Sequence, residues 1–263
     1  MNTNEKIKDA VKEKYAQIAK GDISTGDAVS SCCGTSAGEG QSRACAPMNE
    51  PVNMSLSYSE PDRRAIPDGA DLGLGCGTPA AYAELKEGMT VLDLGSGAGI
   101  DCFVASRYAG PSGKVIGVDM TEAMIARANE NKEKVKADNV EFRLGEIESL
   151  PVADDSIDRV ISNCVINLVP DKEKAFREIH RVLRPGGKFT VSDIVVDGEI
   201  SEQERLDASL WAGCISGALD RKVYLHIIEQ IGFRDVTVSS EKRYAYELSS
   251  GAGMFSITVT ATK

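Results

Sequence analysis

The alternation of short apolar runs with amphipathic stretches between residues 85 and 196 constrains the fold of this 263-residue chain more than any other feature. Five runs favour β-strands: Thr90 to Leu94, Lys114 to Val118, Val140 to Leu144, Ile157 to Ser162 and Lys188 to Val195. Helical stretches begin near Ile100, at Thr121, which is a predicted cap, and at Asp171, which can cap the run ending at Leu183. The segment Arg184-Pro185-Gly186-Gly187 predicts a turn before the last strand. This repetition predicts a doubly wound, mostly parallel α/β sheet of the Rossmann-like class, covered on both faces.

The N-terminal part, residues 1–84, is predicted to cover this sheet. Apolar residues from Ile7 to Ile18 have helical spacing, which predicts an amphipathic helix. A Gly-, Ser- and Thr-rich loop follows from Gly21 to Pro51, and its length indicates that it is either mobile or functional.

The C-terminal part, residues 197–263, is predicted to contain two helices and two strands. The helices are Ser201 to about Ala218 and Lys222 to Ile231, and the strands are Val236 to Ser239 and Phe255 to Thr260. We expect these strands to extend the sheet edge. The chain therefore divides into an N-terminal part, a central sheet domain (85–196) and a C-terminal part, with helical cover elements at both ends.

Composition disfavours several kinds of partner. The net charge is −10, and no cluster of Lys and Arg offsets it, so we expect neither nucleic acid nor an anionic membrane as a partner. No apolar run approaches the ~20 residues that span a bilayer, and the first residues lack a signal-peptide pattern, which predicts a cytoplasmic protein. Its seven cysteines are then mostly reduced thiols, available for metal binding, catalysis or redox chemistry.

A glycine-rich turn follows the first predicted strand, in Val91-Leu92-Asp93-Leu94-Gly95-Ser96-Gly97-Ala98-Gly99. Ile100 stands where a dinucleotide fingerprint requires its last glycine, which disfavours NAD and favours S-adenosylmethionine, a ligand without phosphates. Asp119 ends the second strand, and its paired oxygens suit the two ribose hydroxyls, whereas Asp93 is placed to orient the methionine amino group. The predicted cofactor-binding residues are Asp93, Gly95, Ser96, Gly97, Asp119, Met120, Glu146, Ile147, Glu148 and Asn163.

Three cysteines far apart in sequence stand in unusual settings: Gly75-Cys76-Gly77, Asn163-Cys164-Val165 and Gly213-Cys214-Ile215. A lone Cys164 would be interpreted as a small buried hydrophobe, but it follows the fourth strand, at the edge where open α/β sheets bind ligands. Three converging thiolates suit zinc or trivalent arsenic, and structural zinc sites prefer Cys-x-x-Cys pairs, which this set lacks. Arsenic bound by three sulfurs keeps a nucleophilic lone pair, so it needs no base in a chain with only two histidines.

Taken together, these motifs resemble those of the arsenite S-adenosylmethionine methyltransferases over nearly the whole chain. The matching segments are Gly75-Cys76-Gly77, Leu92 to Gly97, Gly117 to Met120, Ser162 to Lys172 and Gly213-Cys214. The resemblance implies a class I methyltransferase fold, with Cys76, Cys164 and Cys214 binding As(III) supplied as arsenite or its thiol conjugates. Mono- and dimethylated arsenicals would be the products. A quinone-type small-molecule methyltransferase and a thiol-rich metalloid-binding protein without catalysis are the alternatives.

The resembled family also uses an N-terminal cysteine, for which this chain offers Cys32, Cys33 and Cys45. We hypothesise that one of them forms a disulfide with a site cysteine while the pentavalent product is reduced, after which thioredoxin or glutathione restores the thiols. Some family members place tyrosines before the Gly-Cys-Gly turn, where this chain has Gly73-Leu74, and Tyr58 is a candidate to replace them. Cys102 is assigned to packing.

Overall fold

The computed structural model describes residues 3–22, 57–205, 211 and 214–263. The loop cysteines Cys32, Cys33 and Cys45 lie outside the described residues. Within the described ranges, no helix combines the length and the apolar character that crossing a membrane requires.

One mixed sheet forms the centre of the described chain. Its strands are β1 (Thr90–Leu94), β2 (Lys114–Asp119), β3 (Val140–Leu144), β4 (Ile157–Asn163), β5 (Leu183–Asp197), β6 (Leu219–Asp220), β7 (Arg234–Glu247) and β8 (Gly253–Thr262). The order across the sheet is β3-β2-β1-β4-β5-β8-β7, with β6 paired to β5. Strands β1 to β6 pair in parallel and β7 and β8 pair antiparallel, so the predicted doubly wound sheet and the C-terminal extension of its edge are confirmed.

All five strands predicted in the central part are present, but β5 begins earlier than predicted. The Arg184-Pro185-Gly186-Gly187 segment, predicted as a turn, belongs to β5 and is accommodated by a register shift against Ile157 and Arg159 of β4. Gly186 has a φ of 78°, a backbone conformation that suits such a bulge. The predicted strand Val236 to Ser239 is likewise too short, because β7 continues through polar residues along the sheet edge.

Eight α-helices lie within the described residues. They are α1 (Thr3–Lys20), α2 (Glu60–Arg63), α3 (Pro79–Tyr82), α4 (Ile100–Ala109), α5 (Glu122–Val135), α6 (Lys172–Val182), α7 (Glu202–Arg205) and α8 (Arg221–Ile231). Asp171 caps α6 as predicted, since its Oδ1 accepts from Lys174 N at 2.9 Å. The predicted capping role of Thr121 is wrong: its side chain makes no cap bond, and its backbone N–H instead donates to Asp119 Oδ1 at 2.8 Å.

The helix predicted from Ser201 to about Ala218 is not continuous. Among its described residues, α7 and Trp211 are helical, whereas residues 214–217 form turns and a bend. Cys214 has a φ of 64°, which an α-helix does not allow, and an added Cβ on Gly217 would lie 1.9 Å from the carbonyl oxygen of Asn167. The chain leaves the helix because it packs this turn against the segment that follows β4.

Apolar side chains cover both faces of the sheet and leave its carboxyl edge free. Leu92 and Leu94 of β1 pack with Phe176 of α6 on one face, whereas Val91 packs with Val104 of α4 on the other. Such alternation follows from the period of two along a strand. The ends of β1, β2 and β4 are therefore held rigidly while the loops beyond them remain available for a ligand.

Candidate functional site

A cavity opens at the carboxyl ends of β1, β2 and β4, where the strand order reverses. Its volume is about 1060 Å³, counting all the open space inside it and at its mouth. Nine of the ten predicted cofactor-binding residues line it: Gly95, Ser96, Gly97, Asp119, Met120, Glu146, Ile147, Glu148 and Asn163. Cys164 lines the same cavity.

The glycine-rich turn after β1 forms the floor of this cavity. Gly95 and Gly97 have φ values of 63° and 51°, in the left-handed region that favours glycine. An added Cβ on Gly97 would meet no heavy atom within 4 Å, so the missing side chain leaves open space beside the backbone. Ser96 is buried, and its Oγ has no hydrogen-bond partner among the described residues. A ligand that contacts the turn can satisfy that hydroxyl.

Asp119 lies at the end of β2 with both carboxylate oxygens held by backbone. Its Oδ2 accepts from Gly97 N at 3.0 Å and its Oδ1 accepts from Thr121 N at 2.8 Å. Burial raises the pKa of Asp119, and these two backbone bonds oppose the shift because they favour the charged form. The carboxylate is thereby fixed against the turn, with lone pairs left for hydroxyl groups in the cavity.

Asp93 and Asp101 occupy different depths at the cavity wall. Asp93 is not among the residues that line the cavity, and its Oδ2 accepts from the Cys102 thiol at 3.2 Å, so its contact with an amino group stays a prediction. Asp101, which the sequence interpretation missed, lines the cavity and accepts from the Tyr58 hydroxyl and from Asn163 Nδ2. Its position in the first turn of α4, directly after the glycines, was the available signal.

Burial controls the ionisation of both carboxylates. It raises the pKa of Asp101 to about 6, opposed by the hydrogen bonds from Tyr58 and Asn163. It also raises the pKa of Asp93 well above its usual value, and the neighbouring charge of Asp101 adds to that shift. A cationic ligand group beside Asp101 would relieve this electrostatic cost.

Asn163 holds the Gly75-Cys76-Gly77 turn against the end of β4. Its Oδ1 accepts from Cys76 N at 3.0 Å and from Gly77 N at 3.1 Å, and its Nδ2 donates to Gly77 O at 2.8 Å. The turn lies so close that an added Cβ on Gly77 would meet Ser192 Oγ at 2.4 Å. Glycine on both sides of Cys76 is therefore required by this close approach, and Asn163 positions the cysteine as well as lining the cavity.

The three predicted ligand cysteines lie together beside the cavity, and all are free thiols. Cys164 and Cys214 belong to one packed cluster, and Cys76 packs against it. Interactions with the Cys214 and Cys76 side chains, followed by burial, raise the pKa of Cys164 well above its usual value. The Cys214 thiol also donates to the carbonyl oxygen of Cys164 at 3.0 Å. The structure thus brings together side chains separated by up to 138 positions in sequence.

Two of these cysteines adopt a backbone conformation that L-residues avoid. Cys164 and Cys214 have φ values of 60° and 64°, in the left-handed region. Non-glycine residues in this region store strain, which persists only where the surroundings fix the backbone, and such residues cluster at functional sites. The main chain is therefore bent at both positions to direct the thiols toward each other.

The thiols do not form a ready-made metal site. Within the part of the chain that the structure describes, no group of three His, Cys, Asp or Glu side chains is arranged to hold a metal ion. The Cys214 thiol instead donates to the carbonyl oxygen of Cys164. An ion bound by all three sulfurs must replace that bond.

Known proteins match both the fold and the sequence. A family described as "Methyltransferase domain" matches residues 85–243. The chain is 44% identical over 238 residues to an arsenite methyltransferase of Halobacterium salinarum, covering 89% of this chain and 59% of that protein. It is 39% identical over 202 residues to an arsenite methyltransferase of Mus musculus, covering 73% and 53%. The chain therefore spans a little over half the length of these relatives.

A solved structure decides the family. An arsenic(III) S-adenosylmethionine methyltransferase from Chlamydomonas reinhardtii superposes with a TM-score of 0.68 at 33% identity, covering 81% of this chain and 74% of that protein. The chain belongs to the arsenite methyltransferase family. Its sheet and glycine turn are thus those of a class I, S-adenosylmethionine-dependent methyltransferase fold, as the sequence predicted.

In this member of the arsenite methyltransferase family, α1 lies across the cavity. Lys8, Val11 and Tyr15 occupy one face of the helix and line the opening. Lys8 Nζ lies 2.7 Å from Glu146 Oε2 and 2.6 Å from Glu148 Oε2, which ties the helix to the loop after β3. Tyr15 packs against the cluster that contains Cys164 and Cys214, a contact that the sequence interpretation missed. The predicted cover helix therefore contacts both the cofactor side and the thiol side of the cavity.

Proposed function

We propose that this chain is an arsenite methyltransferase that transfers methyl groups from S-adenosylmethionine to As(III) bound by Cys76, Cys164 and Cys214. Mono- and then dimethylated arsenicals are its products. One observation carries the proposal: Cys164 lines the cavity beside the glycine turn and also packs in one cluster with Cys214 and Cys76. An acceptor bound to Cys164 therefore lies next to a methyl donor bound at the turn.

The cavity residues fit S-adenosylmethionine. The open space at Gly97 and the unpartnered Oγ of Ser96 both suit a ligand in contact with the turn. We assign the ribose to Asp119 and the α-amino group to Asp101, because a buried carboxylate is stabilised by a cation. Met120, Glu146, Ile147 and Glu148 would surround the adenine. When bound, this cofactor supplies an electrophilic methyl group on a sulfonium.

The thiols prepare the acceptor without a base. Three As–S bonds form as arsenite condenses with the thiols, and each thiol proton leaves with a hydroxide as water. Arsenic bound in this way is neutral and keeps a lone pair that can accept a methyl group directly. None of the described cavity residues is a histidine, and His180 packs against Phe233 with their ring centroids 5.1 Å apart. Fixed thiol ligands contribute mainly by holding the acceptor in line with the donor.

We further propose that the N-terminal loop cysteines complete the redox chemistry. Methyl transfer converts arsenic from the trivalent to the pentavalent state, so two electrons must return before the next transfer. A site cysteine and one of Cys32, Cys33 and Cys45 supply them by closing a disulfide, which thioredoxin or glutathione then reduces. The need for reduced thiols favours the cytoplasm as the compartment.

Methyl-labelled S-adenosylmethionine tests this function. The protein is incubated with arsenite and a thiol reductant, and the arsenic species are separated by chromatography. We expect labelled mono- and dimethylated arsenicals from the wild type and none from Cys164→Ser, because the variant loses one sulfur ligand. Cys102→Ser is the matched control, since Cys102 is buried outside the thiol group and serine preserves the hydrogen bond to Asp93.

Calorimetric titration with S-adenosylhomocysteine and with arsenite distinguishes the alternatives. Both Cys variants should bind S-adenosylhomocysteine as the wild type does. Arsenite binding without any labelled arsenical would indicate a metalloid-binding protein. Cofactor binding without arsenite binding would indicate a methyltransferase for another small molecule, and an active Cys164→Ser variant would contradict the role of that thiol.

A further inference from the structure

Hydrogen bonds from side chains to backbone carbonyl oxygens join the two segments that carry Cys164 and Cys214. Asn167 Nδ2 donates to Cys214 O at 3.3 Å and to Ile194 O at 2.7 Å, and Trp211 Nε1 donates to Leu168 O at 3.3 Å. These bonds link the segment after β4, which contains Cys164, to the turn that contains Cys214. They fix the main chain beneath both thiols.

Lys172 lies at the centre of these contacts although it carries a charge. Its side chain is buried, with 7% of the residue exposed. The ammonium donates to Val169 O at 3.0 Å and to Asn167 O at 3.3 Å, and it lies 5.9 Å from the centroid of the Trp211 ring. A buried ammonium is unfavourable unless its surroundings compensate it, and here carbonyl oxygens and an aromatic face do so.

Negative charge beside Lys172 also favours the ammonium. Burial lowers the pKa of Lys172 to about 8, and charges on Asp193 and then Cys214 oppose that shift. Asp193 is fully buried and accepts from the Tyr224 hydroxyl at 3.3 Å. The ammonium therefore lies within electrostatic reach of the Cys214 thiol without contacting the cavity.

The strained backbone at the thiols explains why such contacts are needed. Left-handed φ values at Cys164 and Cys214 are unfavourable in a residue with a Cβ. Strain of this kind persists only when neighbouring interactions over-determine the conformation. We propose that Lys172 is a positioning residue of the thiol site, which ties the segment after β4 to Trp211 and thereby holds Cys164 and Cys214 at the spacing that binds one arsenic atom. This inference rests on the proposed function, because it concerns the same thiols.

Trp211 provides the test, since it is the only tryptophan of the chain and its carbonyl accepts from Cys214 N at 2.9 Å. Arsenite is titrated into protein kept reduced with a phosphine, and the tryptophan fluorescence is followed in the wild type, Lys172→Met and Lys172→Arg. We expect Lys172→Met to weaken arsenite binding about 10- to 100-fold, as for lost hydrogen bonds to a charged group. Lys172→Arg should recover most of that affinity, because it restores the charge and the aromatic contact.

Lys174→Met is the matched control, because Lys174 lies exposed on the same helix. It should bind arsenite like the wild type, and every variant should keep its calorimetric affinity for S-adenosylhomocysteine. A merely packed lysine would be replaced well by methionine and poorly by arginine, so the order of the two variants separates positioning from packing. If Lys172→Met does not fold, Trp211→Phe serves as the test variant instead, because it removes the hydrogen bond to Leu168 O. We expect it to bind arsenite more weakly than the wild type, as measured by calorimetry.

The outcomes separate this inference from the proposed function. Unchanged arsenite affinity in Lys172→Met, or in Trp211→Phe where that variant decides, overturns the positioning role alone. The positioning role is also overturned if Lys172→Arg binds arsenite more weakly than Lys172→Met does. Absence of arsenite binding in the wild type overturns the proposed function, and the inference with it.

Discussion

Gly95 and Gly97 share one backbone conformation but differ in their surroundings, so replacing each of them by alanine should have different effects. Both have φ values in the left-handed region, 63° and 51°. An added Cβ on Gly95 would lie 2.2 Å from Val165 Cγ2 and 2.8 Å from Val165 Cβ, whereas one on Gly97 would meet nothing within 4 Å. The pair therefore separates the cost of backbone strain from the cost of overpacking.

The structure sets the expected magnitudes. A Cβ in the left-handed region costs about 1–2 kcal/mol, and this is the whole stability cost at Gly97. Overpacking against Val165 adds about 1–3 kcal/mol at Gly95. The melting temperature of Gly95→Ala should therefore lie about 2–12 °C below that of Gly97→Ala, taking about 2–4 °C per kcal/mol for a chain of this size.

Thermal unfolding of the protein without cofactor, followed by circular dichroism, measures this difference. Adding Val165→Ala to Gly95→Ala should recover part of the lost stability, because it removes the methyl groups that clash with the new Cβ. Gly97→Ala should instead weaken S-adenosylhomocysteine binding, since its Cβ projects into the cavity. Equal melting temperatures for the two single variants would refute the assignment of Gly95 to the contact with Val165.

Two further variants probe the cavity wall. Because burial raises the pKa of Asp101 from 3.8 to about 6, ionisation of this carboxyl costs stability as the pH rises through that interval. The wild type should lose about 2 kcal/mol relative to Asp101→Asn between pH 4 and pH 7 in urea unfolding, and the same pH dependence of the unfolding free energy in both proteins would contradict this. Tyr15→Phe should weaken arsenite binding about 2- to 10-fold in the Trp211 fluorescence assay, because it removes a hydroxyl that packs against the cluster containing Cys164 and Cys214. Tyr82→Phe is its control, because Tyr82 is exposed. If the two variants bind arsenite with equal affinity, Tyr15 does not contribute to arsenite binding.

The sequence was sufficient to predict the sheet and the edge at which ligands bind. Periodicity located the five parallel strands, and a glycine turn after the first strand is interpretable because close backbone approach and left-handed φ angles require glycine. Since parallel strands end at one edge, Asp119 and Cys164 were expected to meet there. The cavity contains both.

That Asp101 rather than Asp93 lines the cavity could not be predicted from spacing alone. Asp93 is the penultimate residue of β1, and its side chain points toward α4, where Cys102 donates to it. Asp101 reaches the cavity because α4 begins directly after Gly99, and the Tyr58 hydroxyl and Asn163 amide both come from distant segments. Which of two carboxylates faces a ligand depends on these tertiary contacts, and a single sequence does not contain them.

At Cys214 the local sequence pattern and the tertiary structure conflict. The residues from Ser201 to Ala218 have a helical pattern, yet the chain turns at Cys214 with a left-handed φ angle. The bonds from Asn167 and the close packing of Gly217 compensate this departure, so the local preference is overridden by contacts with the segment after β4. Such conflicts are expected at functional sites, because a site needs a particular side-chain direction more than it needs local stability. The break in the predicted helix at Cys214 is therefore independent support for a role of this thiol in binding.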